Sequence, residues 1–479
     1  MAEKLEDRHL ADLHALAGEL EVPSFRKLGR DELVAAIRDQ GGEDLDSSSA
    51  DAESPDSSSA ESELTDATSS RASSESESRS RSSSRRRGGR GRRRGGPAEK
   101  PAKRSRDSEA REAEDEEDLA DEETEAVEGV LDVMPRRYGF LRLSGLESAD
   151  GDVYISASQI RRCELKPGDR VAGPARKPRR GERHPALVHV DTVNGVEPTE
   201  SERDQFEDLT PISPTRRLEL GSPASGSKEG VMLIRAVDLL CPLGLGQRVL
   251  VRAGARSGRS TLLRGLANAL GEKTPASDEP IVTIVVLIDE RPEEATRWRD
   301  EVEGAELAIA TADMRPGEQV ANVELALARA KRLVESGTDV VLIVDSLSRL
   351  AVAHDDSGPV KRLFGAGRET KEDDAGSLTV IATLLDGDED GDGPLRAVST
   401  TESAVIRLDT ELADAGVFPS LDVGATRSGD EAELRDADEL KAARKLRERL
   451  VELDAPDAAR ELAELIENSS TNAELLSKL

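Results

Sequence analysis

Residues Ala253-Gly254-Ala255-Arg256-Ser257-Gly258-Arg259-Ser260 follow the apolar run GQRVLVRA and lead into TLLRGLANAL. Strand, glycine-bearing turn and helix is the layout of a phosphate-binding loop. Successive backbone N–H groups converge on the anion, and the helix N-terminus adds positive potential. Gly258 meets the demand of the turn, and the Ser260 hydroxyl suits Mg2+. The position that usually carries a lysine holds Arg259, which keeps the charge but not the shape: a guanidinium is longer, planar and forked. Misplacing a reacting phosphate by about an ångström costs ~100-fold in rate. Farther on, Asp345 ends the apolar run VVLIVD. Parallel sheets bind ligands at that end of their strands, although a lone aspartate there is as readily a cap.

A second set of residues suits a different ligand. Aromatic residues are only 2% of the chain, yet Tyr138, Phe140 and Tyr154 fall close together. Tyr138 and Phe140 lie two residues apart, on one face of a strand. Exposed rings on an open barrel stack unpaired bases at ~1–3 kcal/mol each; the alternative is that the three rings fill the core. Arg142, Arg161, Arg162 and the run RKPRRGER offer phosphate contacts. A third basic feature is the stretch 79–94, with nine arginines and no acid. It reads either as an RNA-binding arginine-glycine run or as a solvated charge run.

The elements that position these residues follow from pattern. Residues 1–42 carry two amphipathic segments, LADLHALAGEL and ELVAAIRDQ, at helical spacing, and predict a small helical module. Residues 43–126 are Ser, acidic residues, Arg and Gly, too polar to offset chain entropy, and are expected to form a disordered linker. Residues 127–197 contain five short alternating segments, VEGVLDVM, YGFLRL, DVYISAS, DRVAGPARK and PALVHVDTV, as in a small β-barrel. In 198–430, strands such as RVLVRA, PIVTIVVLIDE, DVVLIVDS and SLTVIATLL alternate with helical stretches, which predicts a doubly wound α/β domain. Residues 431–479 are charged and helical.

Of the 479 residues, 34% are charged, and the formal net charge of −31 argues against a surface generally coated by nucleic acid. Two cysteines, Cys163 and Cys241, without metal-ligand spacing fit a reducing compartment and exclude a disulfide framework. No apolar run approaches the ~18 residues of a membrane span. A cytoplasmic protein is expected.

MPRRYGFLR, GDVYISASQIRRCELKPGD, FEDLTPISPTRRLEL, LLCPLGLGQRVLV, VLIDERPEEAT, AKRLVESGTDVVLIVDSLSRLA, RLFGAGRE and GVFPSLD resemble, in order, the bacterial transcription termination factor Rho family. The resemblance spans roughly residues 127–430. It implies an OB or cold-shock-like barrel and a RecA-like P-loop ATPase domain with a helical C-terminus. It implies an RNA cleft at Arg137, Tyr138, Gly139, Phe140, Leu141, Arg142, Asp152, Val153, Tyr154, Glu182, Arg183 and His184. It implies ATP contacts at Gly244, Leu245, Gly246, Gln247, Arg248, Val249, Arg256, Ser257, Gly258, Arg259, Ser260, Thr261, Arg291 and the ring of Phe418. Glu290 matches the water-activating carboxylate, Asp345 the acid that holds Mg2+ through water, and Arg259 completes the catalytic set. Single-stranded RNA, the RNA polymerase complex and a hexamer of like or paralogous chains are the implied partners.

The chain also departs from that pattern. Residues 350–363 are shorter than the family's RNA-gripping pore loop. Ser399 stands where a second pore loop has lysine, beside the acidic DGDEDGD at 386–392. Gly416 replaces an arginine beside the adenine ring, and Arg427 is offset from the family's finger position. Two functions are therefore expected: an ATP-driven RNA translocase that releases transcripts, or an ATPase-impaired, RNA-binding relative that modulates or scaffolds an active one.

Overall fold

The computed structural model describes residues 124–198, 205–220, 227–271, 281–386 and 392–479. The expected helical module 1–42 and almost all of the linker 43–126 lie outside these residues, as does most of the acidic run 386–392.

The first sheet contains β1 (Thr124–Val133), β2 (Gly139–Arg142), β3 (Val153–Ile155), β4 (Arg170–Arg176), β5 (Ala186–Leu187) and β6 (Thr192–Val193). Its order is β1-β2-β3-β5-β4-β6, and β1 also pairs with β4, which closes the sheet on itself as a small barrel. Residues 124–126, read from sequence as linker, are the start of β1. Alternation sends Leu131, Leu141, Val153, Ile155 and Val171 into the interior. DVYISAS reads as one strand, but the strand stops at Ile155 because Ser156 caps helix α1 (Ala157–Arg162). The Ser156 hydroxyl accepts the Gln159 N–H, and Gln159 Oε1 accepts the Ser156 N–H at 3.0 Å, a reciprocal capping box.

The second unit of structure is a seven-stranded sheet in the order β10-β9-β11-β13-β8-β14-β15. A two-stranded ribbon pairs β7 (Pro211–Ile212) with β12 (Glu369–Thr370). The sheet strands are β8 (Arg248–Ala253), β9 (Val282–Glu290), β10 (Glu306–Thr311), β11 (Val340–Asp345), β13 (Leu378–Leu385), β14 (Ala404–Arg407) and β15 (Arg427–Ser428). Every pairing is parallel except β14 with β15. Strands covered on both faces read as unbroken apolar runs, and VVLIVD is buried along its whole length.

Helices cover both faces. On one, Val249, Val251, Val285, Leu287 and Ile343 pack with α2 (Lys228–Leu240), α3 (Arg259–Gly271) and Trp298 of α4 (Pro292–Glu301). On the other, Leu250, Ile284, Val286 and Leu342 pack with α5 (Pro316–Glu335), α6 (Leu347–His354) and α7 (Gly358–Phe364). The remaining helices are α8 (Asp392–Val398), α9 (Thr410–Asp414), α10 (Glu431–Leu434), α11 (Ala437–Val451), α12 (Ala455–Glu467) and α13 (Asn472–Ser477). Leu446, Leu450, Leu462 and Ile466 share the core of α2 and α3, so the C-terminal helices belong to this domain rather than forming a separate appendage. Segment 350–363 is the end of α6, a turn through Asp355 and most of α7.

The barrel meets this domain partly through main chain and partly through side chains such as Leu146, which joins its core. Gly168 has φ +85°, and a Cβ there would lie 2.4 Å from the Arg329 nitrogen in α5. Glu147 accepts a hydrogen bond from the Arg299 guanidinium at 2.9 Å and from the Ile309 N–H at 3.1 Å.

Candidate nucleic-acid groove and phosphate loop

β2 and β3 pair with Phe140 opposite Tyr154, and Tyr138 precedes β2. The three rings stand 5.8–6.1 Å apart between centroids, and His184 lies edge-on to Phe140 at 4.9 Å. They line a groove of about 600 Å3 with Ser156, Gln159, Arg162, Arg176, Glu182 and Arg183. Tyr154 is 36% exposed, so the rings are a surface feature and do not fill the barrel. His184 Nδ1 has no hydrogen-bond partner among the described residues. The loop after β4 carries the basic rim. There Arg176 donates to Glu182 at 2.6 and 2.9 Å, and the Arg179 N–H donates to Glu182 at 2.9 Å. Those hydrogen bonds, the Arg176 one foremost, hold the Glu182 carboxyl down to about 2.

Other residues expected in the cleft serve the barrel itself. Gly139, Leu141 and Val153 are interior, and a Cβ on Gly139 would meet Asp132 O at 2.8 Å. Arg142 lies on the ring face, 5.8 Å from the Phe140 centroid, but is held between Asp132 and Asp152. Burial works against its charge, yet those two carboxylates keep its pKa above the ordinary arginine value. Asp152 is buried beneath it. Arg137 is exposed at φ +65° in the turn before β2 and does not line the groove. The missed lining residues Ser156, Ser158 and Gln159 had a readable signal in the S-x-x-Q capping pattern.

The phosphate loop lies where β8 ends and α3 begins, with Arg259 as the first helical residue and Ser260 and Thr261 after it. Arg256 (φ +60°) and Gly258 (φ +95°) turn the backbone. A Cβ on Gly254 would meet Thr410 Oγ1 at 2.2 Å, so a side chain here displaces the Thr410 hydroxyl. Ser257 Oγ donates to Gly254 O at 2.9 Å, and Ser420 Oγ donates to Ser257 O at 2.7 Å. The second bond ties the loop to the segment that carries the half-buried ring of Phe418. The Arg256 side chain is exposed, 4.0 Å from Asp414.

The acids stand at the strand ends. Asp345, 1% exposed, accepts from Thr383 Oγ1 at 2.8 Å. Burial pushes its carboxyl above the usual range, against the pull of Arg259. Arg259 Nε lies 3.1 Å from Asp345 Oδ2 but is not aligned to hydrogen-bond it. Glu290, 4% exposed, accepts from Arg349 Nη1 at 2.7 Å and from the Arg291 N–H at 3.0 Å. Arg349, whose part in the site the motif alone does not reveal, also donates to Ile288 O at 3.1 Å. The Arg291 side chain is exposed.

Gly244, Leu245, Gly246, Gln247, Arg248 and Val249 are not brought to the loop. They sit at the opposite end of β8, a six-residue strand and therefore about 17 Å away. Their polar groups are already committed. Gln247 bridges the Gly244 N–H (2.9 Å) and Asp430 (2.8 Å), Arg248 donates to Gly367 O at 2.8 Å, and a Cβ on Gly246 would strike Glu369 N at 2.1 Å.

A ring-lined barrel joined to a doubly wound sheet with a phosphate loop defines a P-loop protein carrying a nucleic-acid-type barrel. Comparison with known families agrees. Residues 127–199 match the Rho termination factor RNA-binding domain, and residues 233–362 match the ATP synthase alpha/beta family nucleotide-binding domain. Transcription termination factor Rho of Chromobacterium violaceum is 36% identical over 72% of this chain and 86% of its own length. That of Bacillus subtilis is 35% identical over 73% and 83%. That of Streptomyces lividans is 38% identical over 73% of this chain, which spans about half, 51%, of that longer relative. Among solved structures, an ATPase from the type III secretion system of pathogenic bacteria aligns with a TM-score of 0.45 and 22% identity, covering 60% of this chain and 92% of that one. The chain belongs to the transcription termination factor Rho family.

Proposed function

We propose that this chain binds single-stranded RNA in the barrel groove and hydrolyses ATP at the phosphate loop, to move along nascent transcripts and release them from RNA polymerase as a ring of like chains. The observation that carries the reading is the outward cluster of Tyr138, Phe140, Tyr154 and His184 above a basic rim. Unpaired bases stack on the outward faces of such a ring cluster. Arg162 and Arg183 meet the backbone.

The second site fits a nucleotide and its magnesium. The Arg259 Nε is buried without an aligned acceptor, and a phosphate oxygen supplies one. The Ser260 hydroxyl and the Asp345 carboxylate, the latter through water, would hold Mg2+, which neutralises charge on the phosphates when bound. The loop N–H groups and the start of α3 bind the phosphates, and Phe418 packs against the base. Glu290, fixed by Arg349 and at the C-terminal end of β9, orients the attacking water and takes its proton.

The test is ATP hydrolysis by the purified chain with and without unstructured RNA. Turnover that rises with RNA and is lost in Glu290→Gln supports the reading. Tight RNA binding with no turnover would leave an RNA-binding scaffold without a motor.

A further inference from the structure

The rim of the groove is the loop RKPRRGER, residues 176–183, with five cations and one acid. Lys177, Arg179, Arg180 and Arg183 are exposed, and Arg176 and Arg183 line the groove itself. The same rim faces the incoming chain. β1 runs antiparallel to β4 with Thr124 opposite Arg176 and Glu125 opposite Ala175. The start of β1 at Thr124 therefore lies where the basic loop begins. The segment that arrives there, residues 112–123, reads EAEDEEDLADEE, with nine acids and no base.

We infer that residues 112–123 dock on the 176–183 rim as an internal polyanion and compete with single-stranded RNA for it; this rests on the groove being an RNA site. Charge complementarity and tethering argue for it together. Twelve residues reach at most about 40 Å, more than the eight-residue rim can span, and β1 begins beside the rim. A partner held by so short a connection acts at an effective concentration in the millimolar range. Exposed ion pairs that are weak singly become competitive when they are many and local. The tether to this rim is also shorter than the one to the arginine run 79–94, from which residues 95–111 separate the acids. RNA, with a higher charge density and bases for the rings, displaces the acid run; a polyanion that offers charge but no stacking does so less well. The docked segment raises the threshold for capture, so that weakly stacking sequences are turned away.

Two measurements on the full chain test this. Zero-length carbodiimide coupling joins carboxylates to nearby lysines, and Lys177 is the lysine of the rim. Mass spectrometry is expected to find residues 112–123 coupled to Lys177. The product should vanish at about 1 M salt, where the screening length falls to ~3 Å, and on adding a pyrimidine oligonucleotide. Coupling to Lys100 or Lys103 instead, or none at all, overturns the docking. The second measurement is oligonucleotide affinity of the wild-type chain against a variant with the nine acids changed to Gln and Asn. The variant is expected to bind about ten-fold tighter at ~50 mM salt, with the gap closing as salt rises. Equal affinities at every salt concentration overturn the competition. If neither protein binds oligonucleotide while Lys177 still couples, the RNA reading of the groove falls and the docking stands.

Discussion

The groove and the phosphate loop treat their functional side chains in opposite ways. In the groove the rings and cations face solvent, and Tyr154 is 36% exposed. At the loop the acids are buried and the arginines half-buried, Arg259 beside Asp345 and Arg349 bonded to Glu290. A polymer site needs reach and tolerance, and exposed stacking surfaces supply both. A reaction site needs charges held in a low-dielectric setting, where each is worth more and must be balanced. One chain therefore contains a surface that should lose function gradually and a centre that should lose it abruptly.

The sharpest probe of that contrast is Glu290→Gln, expected to lower ATP turnover by ~10^2–10^4-fold while leaving oligonucleotide affinity unchanged in a filter or fluorescence assay. A parallel fall in RNA affinity would mean that the two sites are not separable. Arg259→Lys asks whether shape or charge limits the loop. A compact ammonium restores the usual phosphate contact, and steady-state turnover is expected to rise, by up to ~100-fold; a fall would show that the loop is built for the guanidinium. Tyr154→Ala is expected to weaken oligonucleotide binding by about 1–3 kcal/mol with basal ATP turnover unaltered. Wild-type affinity in a folded variant would remove this ring from the groove's function. The smallest effect is expected from deletion of residues 79–94, read as a salt titration. The slope of log affinity against log salt should shrink by ~0.7 for each phosphate that the arginines had neutralised, and an unchanged slope would make them bystanders.

Much of this division is readable in the residues. The glycine turn between RVLVRA and TLLRGLANAL, the acid ending VVLIVD and the rings two residues apart all lie where their local patterns place them. The sequence misleads about partners across the fold. GLGQR precedes the loop by only a few residues, yet an intervening strand carries it to the far end of the sheet. Arg142 reads as a phosphate contact, but β1 pairs with β2, and Asp132 on β1 claims its guanidinium together with Asp152. DVYISAS alternates like a strand throughout, and only the Gln159 amide closing on Ser156 turns it into a helix. Arg349 lies in the quoted run VVLIVDSLSRLA, but nothing in that run names Glu290 as its partner; the pair forms because β9 and β11 are neighbours.

The seat of Gly168 against α5 has a mechanical consequence. The contact at Ala328 and Arg329 is main chain against main chain, with no side chain between to act as a cushion. α5 in turn runs, after a four-residue turn, into β11 and so to Asp345. A displacement of α5 is therefore expected to carry the Gly168 turn with it, so the barrel and the strand that ends in Asp345 share one support.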